Sequence, residues 1–227
     1  MPSLTIENYV KAIYLTCAHE GKALASTGDI AGRLVVSPGT VTSMLKTLSD
    51  AGLAEYRPYE GVRLTEAGRL LALRVLRRHR LIELFLVRTL DLSWDEVHDE
   101  AENMEHAVSD LLIDRIDEYL GFPAVDPHGD PIPASDGTVR HTGGWPLSNW
   151  ETGRPFRLVR VLDQSPEFLR YLSDCGLPLG AEGTLASRRS ATGAVHIRIG
   201  EREAALAQEA SEKLIVTTVD DPEHESS

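Results

Sequence analysis

The sequence predicts a mainly helical chain with small β parts: an N-terminal winged helix-turn-helix, a helical middle region and a small C-terminal β-barrel. Three short, capped helical segments followed by a hairpin pattern predict the first part. A long apolar helix and two shorter helices predict the second, and short strands after a stretch rich in proline and glycine predict the third. The predicted divisions are 1–65, 66–133, a linker at 134–154, and 155–220.

Length and composition restrict the class of protein. A chain of 227 residues with 42% hydrophobic content is long enough for two or more conventional cores. No apolar run approaches the ~20 residues that span a bilayer, and the N-terminus lacks the pattern of a secretory signal. Two distant cysteines, Cys17 and Cys175, fit neither a disulfide framework nor a CxxC metal pair. We therefore expect a cytoplasmic protein with no membrane segment.

The net charge of −12 is divided unevenly along the chain. Residues 1–80 carry eleven Lys/Arg and seven Asp/Glu, whereas residues 81–227 carry twelve Lys/Arg and twenty-eight Asp/Glu. The local balances are therefore +4 and −16. A basic N-terminal part in an acidic protein indicates that this part alone meets a polyanion.

The first part reads as three helices. Apolar residues at helical spacing predict a helix from Leu4 to His19. The capping run Ser26–Asp29 predicts the start of a short second helix. Ser37 can cap the third helix, and Pro38 suits its first position. Gly52 ends the third helix, which carries many hydroxyl side chains on its polar positions.

Two short strands, Leu53–Arg57 and Val62–Thr65, surround a Pro/Gly turn and predict a hairpin. Three helices and a hairpin form a winged helix-turn-helix, whose third helix suits the major groove of DNA. The hairpin would lay Arg57 and Arg63 along the DNA backbone. Winged helices also serve as protein-binding modules, but the basic charge of this part favours DNA.

The middle region begins with a long helix after Thr65 that is apolar on several sides. Such a helix is either widely buried or shared with a second subunit. A capping box at Ser93–Glu96 predicts a second helix through about Val108, and Ser109 begins a third that ends near Gly121.

The C-terminal region shows short strands at Phe156–Val161, Thr184–Ala186, Ala194–Gly200 and Leu214–Val219, with one helix at Ser165–Asp174. This pattern predicts a small β-barrel. Its size favours a structural or protein-binding module over an enzyme.

Imidazoles and carboxylates share helix faces in the middle region. His79 and Glu83 are four residues apart, and His98, Glu102 and His106 follow one another in steps of four, with Glu105 alongside. Such a set suits Mn²⁺, Fe²⁺ or Zn²⁺, and without thiolates it leans away from softer ions. Spacing alone leaves salt-bridged, solvated helices equally open.

Several motifs in order resemble the diphtheria toxin repressor family, which includes the manganese transport regulators. These are SPGTVTSMLKTLSDAGL in the winged helix, then RRHRLIELFL, VHDEAENMEHAVSD and PHGDPIP. The resemblance covers about residues 4–133 and continues more weakly into a module similar to the family's SH3-like domain. It implies a metal-activated homodimeric repressor, not an enzyme, which binds a palindromic double-stranded DNA operator upstream of metal-uptake genes.

The resemblance also implies roles for individual residues. Glu102, Glu105 and His106, with Asn8, match the primary metal site. The ancillary site is matched by His79, Glu83 and His98, with Gln164 and Glu167 from the C-terminal module. Positions that face DNA in the family correspond to Ser37, Pro38, Gly39, Thr40, Ser43, Lys46, Arg57 and Arg63.

Two departures from the family pattern bear on the metal. Iron-responsive members have Cys where this chain has Glu102, and a carboxylate is the harder ligand. Manganese members have Asp where this chain has Asn8, and Glu where this chain has Lys11. A protonated lysine cannot bind a metal ion. We expect Mn²⁺ as the activating ion and Fe²⁺ as the second, with Co²⁺, Zn²⁺ and Cd²⁺ substituting in vitro.

Asp126 and His128 fall where some manganese-responsive relatives supply a further ligand pair. A proline-rich turn with a surface histidine is the interpretation we favour for this segment.

Two other functions stay open at this point. A metalloenzyme would need an open coordination position and a positioned acid or base. A regulator of an organic effector would need a roomy apolar pocket. The histidines and carboxylates at helical spacing would then be solvated surface residues that bind no metal.

Overall fold

The computed structural model describes residues 3–20, 23–140, 142–189 and 194–219. The chain forms two compact units. The first comprises Met1–His79 with Pro133–Thr138, and the second comprises Arg80–Ile132 with Val139–Ser227.

Three helices open the first unit: α1 (Leu4–Glu20), α2 (Thr27–Leu34) and α3 (Pro38–Asp50). The predicted capping run begins α2. The Ser26 hydroxyl accepts from the backbone N–H of Asp29, and the Asp29 carboxylate accepts from the N–H of Ser26. This reciprocal pair satisfies two of the backbone donors that a helix start leaves open.

A tight turn separates α2 from α3. Val35 adopts a left-handed conformation, with φ of 54°, which reverses the chain after α2. Ser37 then caps α3 by accepting from the N–H of Thr40 at 3.2 Å, with Pro38 in the first turn. The sequence therefore places the start of α3 through two local signals.

The predicted hairpin is present as β1 (Ala54–Arg57) and β2 (Gly61–Leu64), which pair in antiparallel register. Helix α4 (Glu66–Leu90) follows, and the Thr65 hydroxyl accepts from the N–H of Gly68 at 3.2 Å. Gly68 is required for packing, because a Cβ there would lie 1.9 Å from the carbonyl oxygen of Leu53.

The core of the first unit joins its helices to the hairpin. It is made of fully or nearly fully buried apolar side chains, including Tyr9, Val10, Ile13, Ile30, Val41, Leu45, Leu48, Ala54 and Val62. The three helices and two strands thus form one packed body of the winged-helix type, which confirms this part of the predicted fold.

The helical part of the second unit contains the second half of α4, then α5 (Val97–Met104) and α6 (Asp110–Tyr119). Helix α5 is shorter than the predicted segment through Val108. After Met104 the chain tightens into turns, with the N–H of Val108 donating to the Met104 carbonyl. Ser109 then takes an extended conformation and caps α6 through its hydroxyl.

The remainder of the second unit is an antiparallel sheet with two helices. The strand order is β3-β8-β4-β5-β6-β7. The helices are α7 (Pro166–Asp174) and the short α8 (Gln208–Glu212). The strands are β3 (Trp145–Pro146), β4 (Pro155–Val161), β5 (Glu182–Arg189), β6 (Ala194–Ile199), β7 (Arg202–Ala207) and β8 (Leu214–Thr217).

The predicted small β module is present, but in the described residues its sheet is open, with β3 and β7 at its edges, rather than closed into a barrel. Strand β3 has two residues and offers too few backbone groups to close the sheet. Strand β7 was not predicted, because its Arg202–Ala207 sequence lacks the β-branched and aromatic residues that mark strands. Within the described part of the chain, no helix combines the length and apolar character needed to cross a membrane.

Candidate metal centre and DNA-binding surface

Helices α4 and α5 bring Glu83 and His98 together. The His98 Nδ1 lies 3.3 Å from Glu83 Oε1, and its Nε2 lies 3.9 Å from Glu102 Oε1, one turn later on α5. The Glu83 side chain is buried, whereas that of His98 is 41% exposed. An imidazole therefore stands between two carboxylates at the edge of the helical core, open to an ion arriving from solvent.

His79 lies one turn before Glu83 on α4 and is buried. Residues four apart share one helix face, so α4 presents an imidazole and a carboxylate in succession on the same side. This is the ancillary set that the sequence predicts, apart from the residues of the C-terminal module.

The segment around Asp126 and His128 contributes to the same region. Ligand atoms of Glu83, Asp126 and His128 all lie within 4.8 Å of one another, and all three residues are buried. The favoured interpretation of His128 as a surface residue is therefore wrong, since its side chain is 0% exposed. The Asp-Pro-His-Gly-Asp sequence folds inward around the isolated bridge between Val125 and Pro131.

Hydrogen bonding orients the His128 ring. Its Nε2 lies 2.8 Å from the carbonyl oxygen of Trp94, and the two rings stack at 6.2 Å. Because a carbonyl only accepts, Nε2 carries a proton and Nδ1 faces Glu83 Oε2 at 3.7 Å. Metal-binding histidines are commonly held by this kind of second bond, which leaves the other nitrogen for the ion.

Crowded carboxylates shift the protonation of this cluster. Burial raises the pKa of Asp126 to about 7, and the nearby charges of Asp130 and Glu83 add to the rise. Burial alone would lower the pKa of His128, but contact with Glu83 and the charge of Asp126 raise it to about 9. At neutral pH the cluster holds protons that a cation would displace.

The predicted primary set lies at the end of α5. Glu105 is fully buried, and its N–H donates to the carbonyl of Ala101 as the helix ends. His106 follows in the turn, with its Nε2 3.2 Å from Glu105 Oε1. Glu102, one turn earlier, is 38% exposed. The chain thus offers two carboxylates and an imidazole within five consecutive residues.

Asn8 occupies the partly buried side of α1 in the first unit. Its Oδ1 is buried and has no hydrogen-bond partner among the described residues. Its neighbour Glu7 lies 3.9 Å from Arg78 Nη1, which ties α1 to the first half of α4. A buried amide oxygen without a donor is an atom that a divalent cation could satisfy.

Gln164 and Glu167 contact residues other than the predicted ancillary ligands His79, Glu83 and His98. Gln164 Nε2 donates to Asp130 Oδ2 at 3.2 Å. The Glu167 side chain is 82% exposed and lies 3.8 Å from Arg170 on the same helix. In this arrangement Asp126 and His128 lie against Glu83, where ligands from the C-terminal module were expected.

The predicted DNA-facing residues of α3 form one exposed surface. Ser37, Pro38, Gly39, Thr40, Ser43 and Lys46 are all exposed, while Val41, Leu45 and Leu48 point into the core. On the hairpin, Arg57 pairs with Glu60 at 3.3 Å and Arg63 pairs with Glu55 at 2.7 Å. The two wing arginines therefore already have carboxylate partners, which reduces the positive field of the wing.

Two features of the site were not predicted. Asp130 joins the buried cluster through Arg80, and its role was hidden because the carboxylate closes a loop rather than repeating on a helix. Tyr59 at the hairpin tip is fully exposed with φ of 68°. The predicted turn between Pro58 and Gly61 was the available signal that this aromatic side chain would be exposed.

Three known domain families match consecutive parts of the chain. Residues 1–62 match "Iron dependent repressor, N-terminal DNA binding domain". Residues 65–134 match "Iron dependent repressor, metal binding and dimerisation domain", and residues 145–218 match "FeoA domain". The diphtheria toxin repressor of Corynebacterium glutamicum is 32% identical over 189 residues, which cover 78% of this chain and 82% of that protein.

The chain belongs to the iron-dependent repressor family. This confirms the resemblance that the sequence motifs carry, and it places the chain among DNA-binding transcriptional regulators rather than enzymes. The FeoA match covers the sheet module and both helices within it.

Other members of the iron-dependent repressor family are similar over different lengths. The HTH-type transcriptional regulator MntR of Lysinibacillus sphaericus is 38% identical over 120 residues, which cover 53% of this chain and 84% of that protein. The solved structure of a manganese-dependent transcriptional repressor in complex with manganese is similar, with a TM-score of 0.85 and 38% identity. The alignment covers 94% of this chain and 100% of that one.

Proposed function

We propose that this chain is a metal-activated dimeric repressor that binds a palindromic operator and regulates metal-uptake genes, with Mn²⁺ as the preferred ion and Fe²⁺ as the second. The observation that carries the proposal is the carboxylate–imidazole set of α4 and α5, in a chain that begins with a winged helix-turn-helix. A regulator of this kind acts on chromosomal DNA, which supports a cytoplasmic location.

The proposed primary site consists of Glu102, Glu105 and His106, with Asn8 from α1. Its donors are oxygen and nitrogen atoms with no thiolate, a ligand set that suits Mn²⁺. The buried Asn8 Oδ1 without a partner supports the inclusion of α1. A site with ligands from α1 and α5 would bind metal best in one arrangement of the two segments, so occupancy would select that arrangement.

The proposed ancillary site consists of His79, Glu83 and His98. Asp126 and His128 add oxygen and nitrogen donors against Glu83, which makes them candidate ligands as well. A bound divalent cation would offset the mutual repulsion of these buried carboxylates. The contribution of Gln164 and Glu167 stays a prediction, and it would require both side chains to leave their present partners.

Exposed apolar side chains on the helical part support the homodimer. Leu111, Leu112 and Tyr119 on α6 and Phe122 just beyond it are each at least 47% exposed. Several large apolar side chains exposed on and beside one short helix are typical of a subunit interface. A two-fold dimer would bind half-sites separated by one helical turn of DNA, ~34–36 Å, or a multiple of it.

The mode of DNA reading follows from the α3 surface. Its serine, threonine, proline and glycine side chains are short, and none offers the bidentate bond by which Arg or Gln reads a base. We expect contact with thymine methyl groups and sequence-dependent DNA shape to contribute much of the specificity. Lys46 and the wing arginines would contact phosphates.

A gel-shift assay with the DNA upstream of the chain's own gene tests the proposal. The protein is incubated with EDTA, Mn²⁺, Fe²⁺, Zn²⁺ or Co²⁺ in parallel. The proposal predicts retardation with Mn²⁺ and Fe²⁺ and none with EDTA. Equal retardation under all conditions would instead favour a regulator that needs no metal.

A further inference from the structure

One carboxylate, that of Asp130, binds three side chains from two parts of the second unit. Arg80 Nη2 donates to Oδ2 at 3.1 Å, and Gln164 Nε2 donates to the same oxygen at 3.2 Å. Arg160 donates through Nε to Oδ1. Arg80 belongs to α4 of the helical part, whereas Arg160 on β4 and Gln164 just after it belong to the sheet module.

The backbone around Asp130 lies directly on the sheet module. The N–H of Val161 donates to the carbonyl of His128 at 2.9 Å. A Cβ at Gly129 would lie 2.0 Å from the carbonyl oxygen of Val159, so only glycine permits this approach. The segment from Asp126 to Pro131, which we name the clamp loop, is therefore held against β4 by backbone as well as side chains.

The clamp loop also contacts the helix that carries the proposed ancillary ligands. Arg80 Nη1 donates to the carbonyl of Pro131, and Arg80 Nε lies 3.5 Å from Asp126 Oδ2. Three residues further along α4, Glu83 faces Asp126 and His128 of the same loop. One short segment thus joins the module to α4 and lines the Glu83 cluster.

Charge and burial make this junction sensitive to single changes. Arg80 and Asp130 are both buried, and the two arginines are balanced by the carboxylates of Asp126 and Asp130. Removing one member of a buried ion pair leaves its partner without compensation, which costs far more than the loss of an exposed pair. A change at Asp130 would therefore release the loop rather than merely weaken it.

We propose that Asp130 is a positioning residue that fastens the sheet module to α4 through Arg80, Arg160 and Gln164 without needing metal, and thereby holds the clamp loop against Glu83. In this role Gln164 is a partner of Asp130 and not a metal ligand. The part of the inference that concerns metal affinity rests on the proposed function of Glu83 and His98, whereas the fastening itself does not.

The substitution Gln164→Glu separates the two roles of Gln164. If Gln164 were a ligand, a carboxylate there would keep or raise the Mn²⁺ affinity. If it holds Asp130, the new negative charge repels that carboxylate, loosens the clamp loop and lowers the affinity. We expect at least ten-fold weaker Mn²⁺ binding at the weaker of two sites in the full-length protein, measured by isothermal titration calorimetry.

Hydrogen exchange in EDTA provides the readout that metal binding cannot influence. The amides of Asp126, Gly129 and Val161 are hydrogen-bonded within or onto the clamp loop. We expect their exchange to accelerate at least ten-fold in Gln164→Glu and in Asp130→Asn. The matched control is Glu182→Gln, which removes an exposed partner of Arg157 on the same module and should leave these amides unchanged.

Arg160→Met is the second variant, used if Asp130→Asn does not fold, because it leaves Asp130 paired with Arg80. Unchanged exchange of the three amides in Gln164→Glu and Arg160→Met would overturn the fastening role. Tighter Mn²⁺ binding by Gln164→Glu would also overturn it and make Gln164 a ligand. If the wild-type protein binds no Mn²⁺ and the variants still show the predicted exchange changes, the proposed function and the metal part of the inference are refuted. The fastening role of Asp130 would stand in that case.

Discussion

His98 Nδ1 on α5 lies 3.3 Å from Oε1 of the buried Glu83 on α4. This contact joins two helices that are separated by the turn at Asp91–Glu96, and it sets an imidazole beside a carboxylate at the edge of the helical core. A nitrogen and an oxygen at this separation can both reach one divalent cation. The loss of either group should therefore be visible in the metal affinity.

Replacing His98 by alanine should remove one of two bound Mn²⁺ ions or weaken its binding at least ten-fold. The reason is that the remaining carboxylates lose the nitrogen donor that stands between them. Titration calorimetry on the metal-free protein measures both stoichiometry and affinity. Glu100→Ala, an exposed carboxylate on the same helix, is the control. A loss of affinity in the Glu100 variant but not in the His98 variant would show that general negative charge, not a site, binds the ion.

Replacing His106 by alanine should abolish metal-dependent operator binding and leave a folded dimer. His106 and Glu105 supply the donors at the end of α5, and the proposed switch depends on them. Circular dichroism and gel filtration establish fold and dimer, and gel shifts establish DNA binding. His196→Gln in the sheet module serves as a histidine control. Mn²⁺-dependent operator binding by the His106 variant at the wild-type level would rule out the primary assignment.

Replacing Gly68 by alanine should destabilise the protein by about 1–3 kcal/mol, because the added methyl meets the Leu53 carbonyl. Gly32→Ala on α2 is the matched control, since its Cβ would meet nothing within 4 Å. That change should stabilise by about 0.5–1 kcal/mol through helix propensity. Urea unfolding followed by circular dichroism measures both. A neutral Gly68→Ala would mean that the close approach relaxes without cost.

The metal-free protein should lose stability as pH rises through 9. The pKa of His128 is raised from 6.5 to about 9 in the folded state, so the folded state holds the proton more tightly. Its stabilisation is complete below pH 6.5 and disappears above 9, and it amounts to at most roughly 3 kcal/mol. The free energy of unfolding of the wild-type protein and of His128→Asn, measured in EDTA between pH 6.5 and 9, tests this prediction. Parallel pH profiles in the two proteins would contradict the assignment.

Replacing Lys46 by alanine should weaken operator binding. It should also reduce the slope of log affinity against log salt by the amount expected for about one phosphate contact. Lys46 is exposed on α3, and α3 carries no other lysine or arginine. Fluorescence anisotropy at several salt concentrations measures the slope. Lys213→Ala, outside the DNA-binding unit and paired with Asp163, should leave the slope unchanged. An unchanged slope in Lys46→Ala would show that Lys46 does not contact a DNA phosphate.

Local signals predicted much of the fold. Ser26, Ser37 and Ser109 each cap the helix that follows, and the Pro/Gly turn places the hairpin. The failures have identifiable causes. Helix α5 ends at Met104 because the next helix needs an extended Ser109, and no residue between them marks a break.

Residue spacing indicated the candidate site only where its residues repeat on a helix, whereas the family resemblance alone pointed to Asp126 and His128. His79, Glu83, His98 and Glu102 follow helical spacing, which the sequence displays directly. Asp126, His128 and Asp130 are brought in by a loop whose path depends on Arg80 and on Gly129 packing against β4. Those are long-range contacts, and nothing in the local pattern distinguishes this loop from an exposed turn.

The proposed function requires metal binding and operator binding to be coupled in one molecule. Thermodynamic linkage requires the coupling to be reciprocal: the factor by which Mn²⁺ tightens operator binding must equal the factor by which operator tightens Mn²⁺ binding. The direct measurement is therefore a Mn²⁺ titration of the full-length protein with and without saturating operator DNA. We expect at least ten-fold tighter Mn²⁺ binding with operator, and identical Mn²⁺ affinity in the two titrations would refute the coupling.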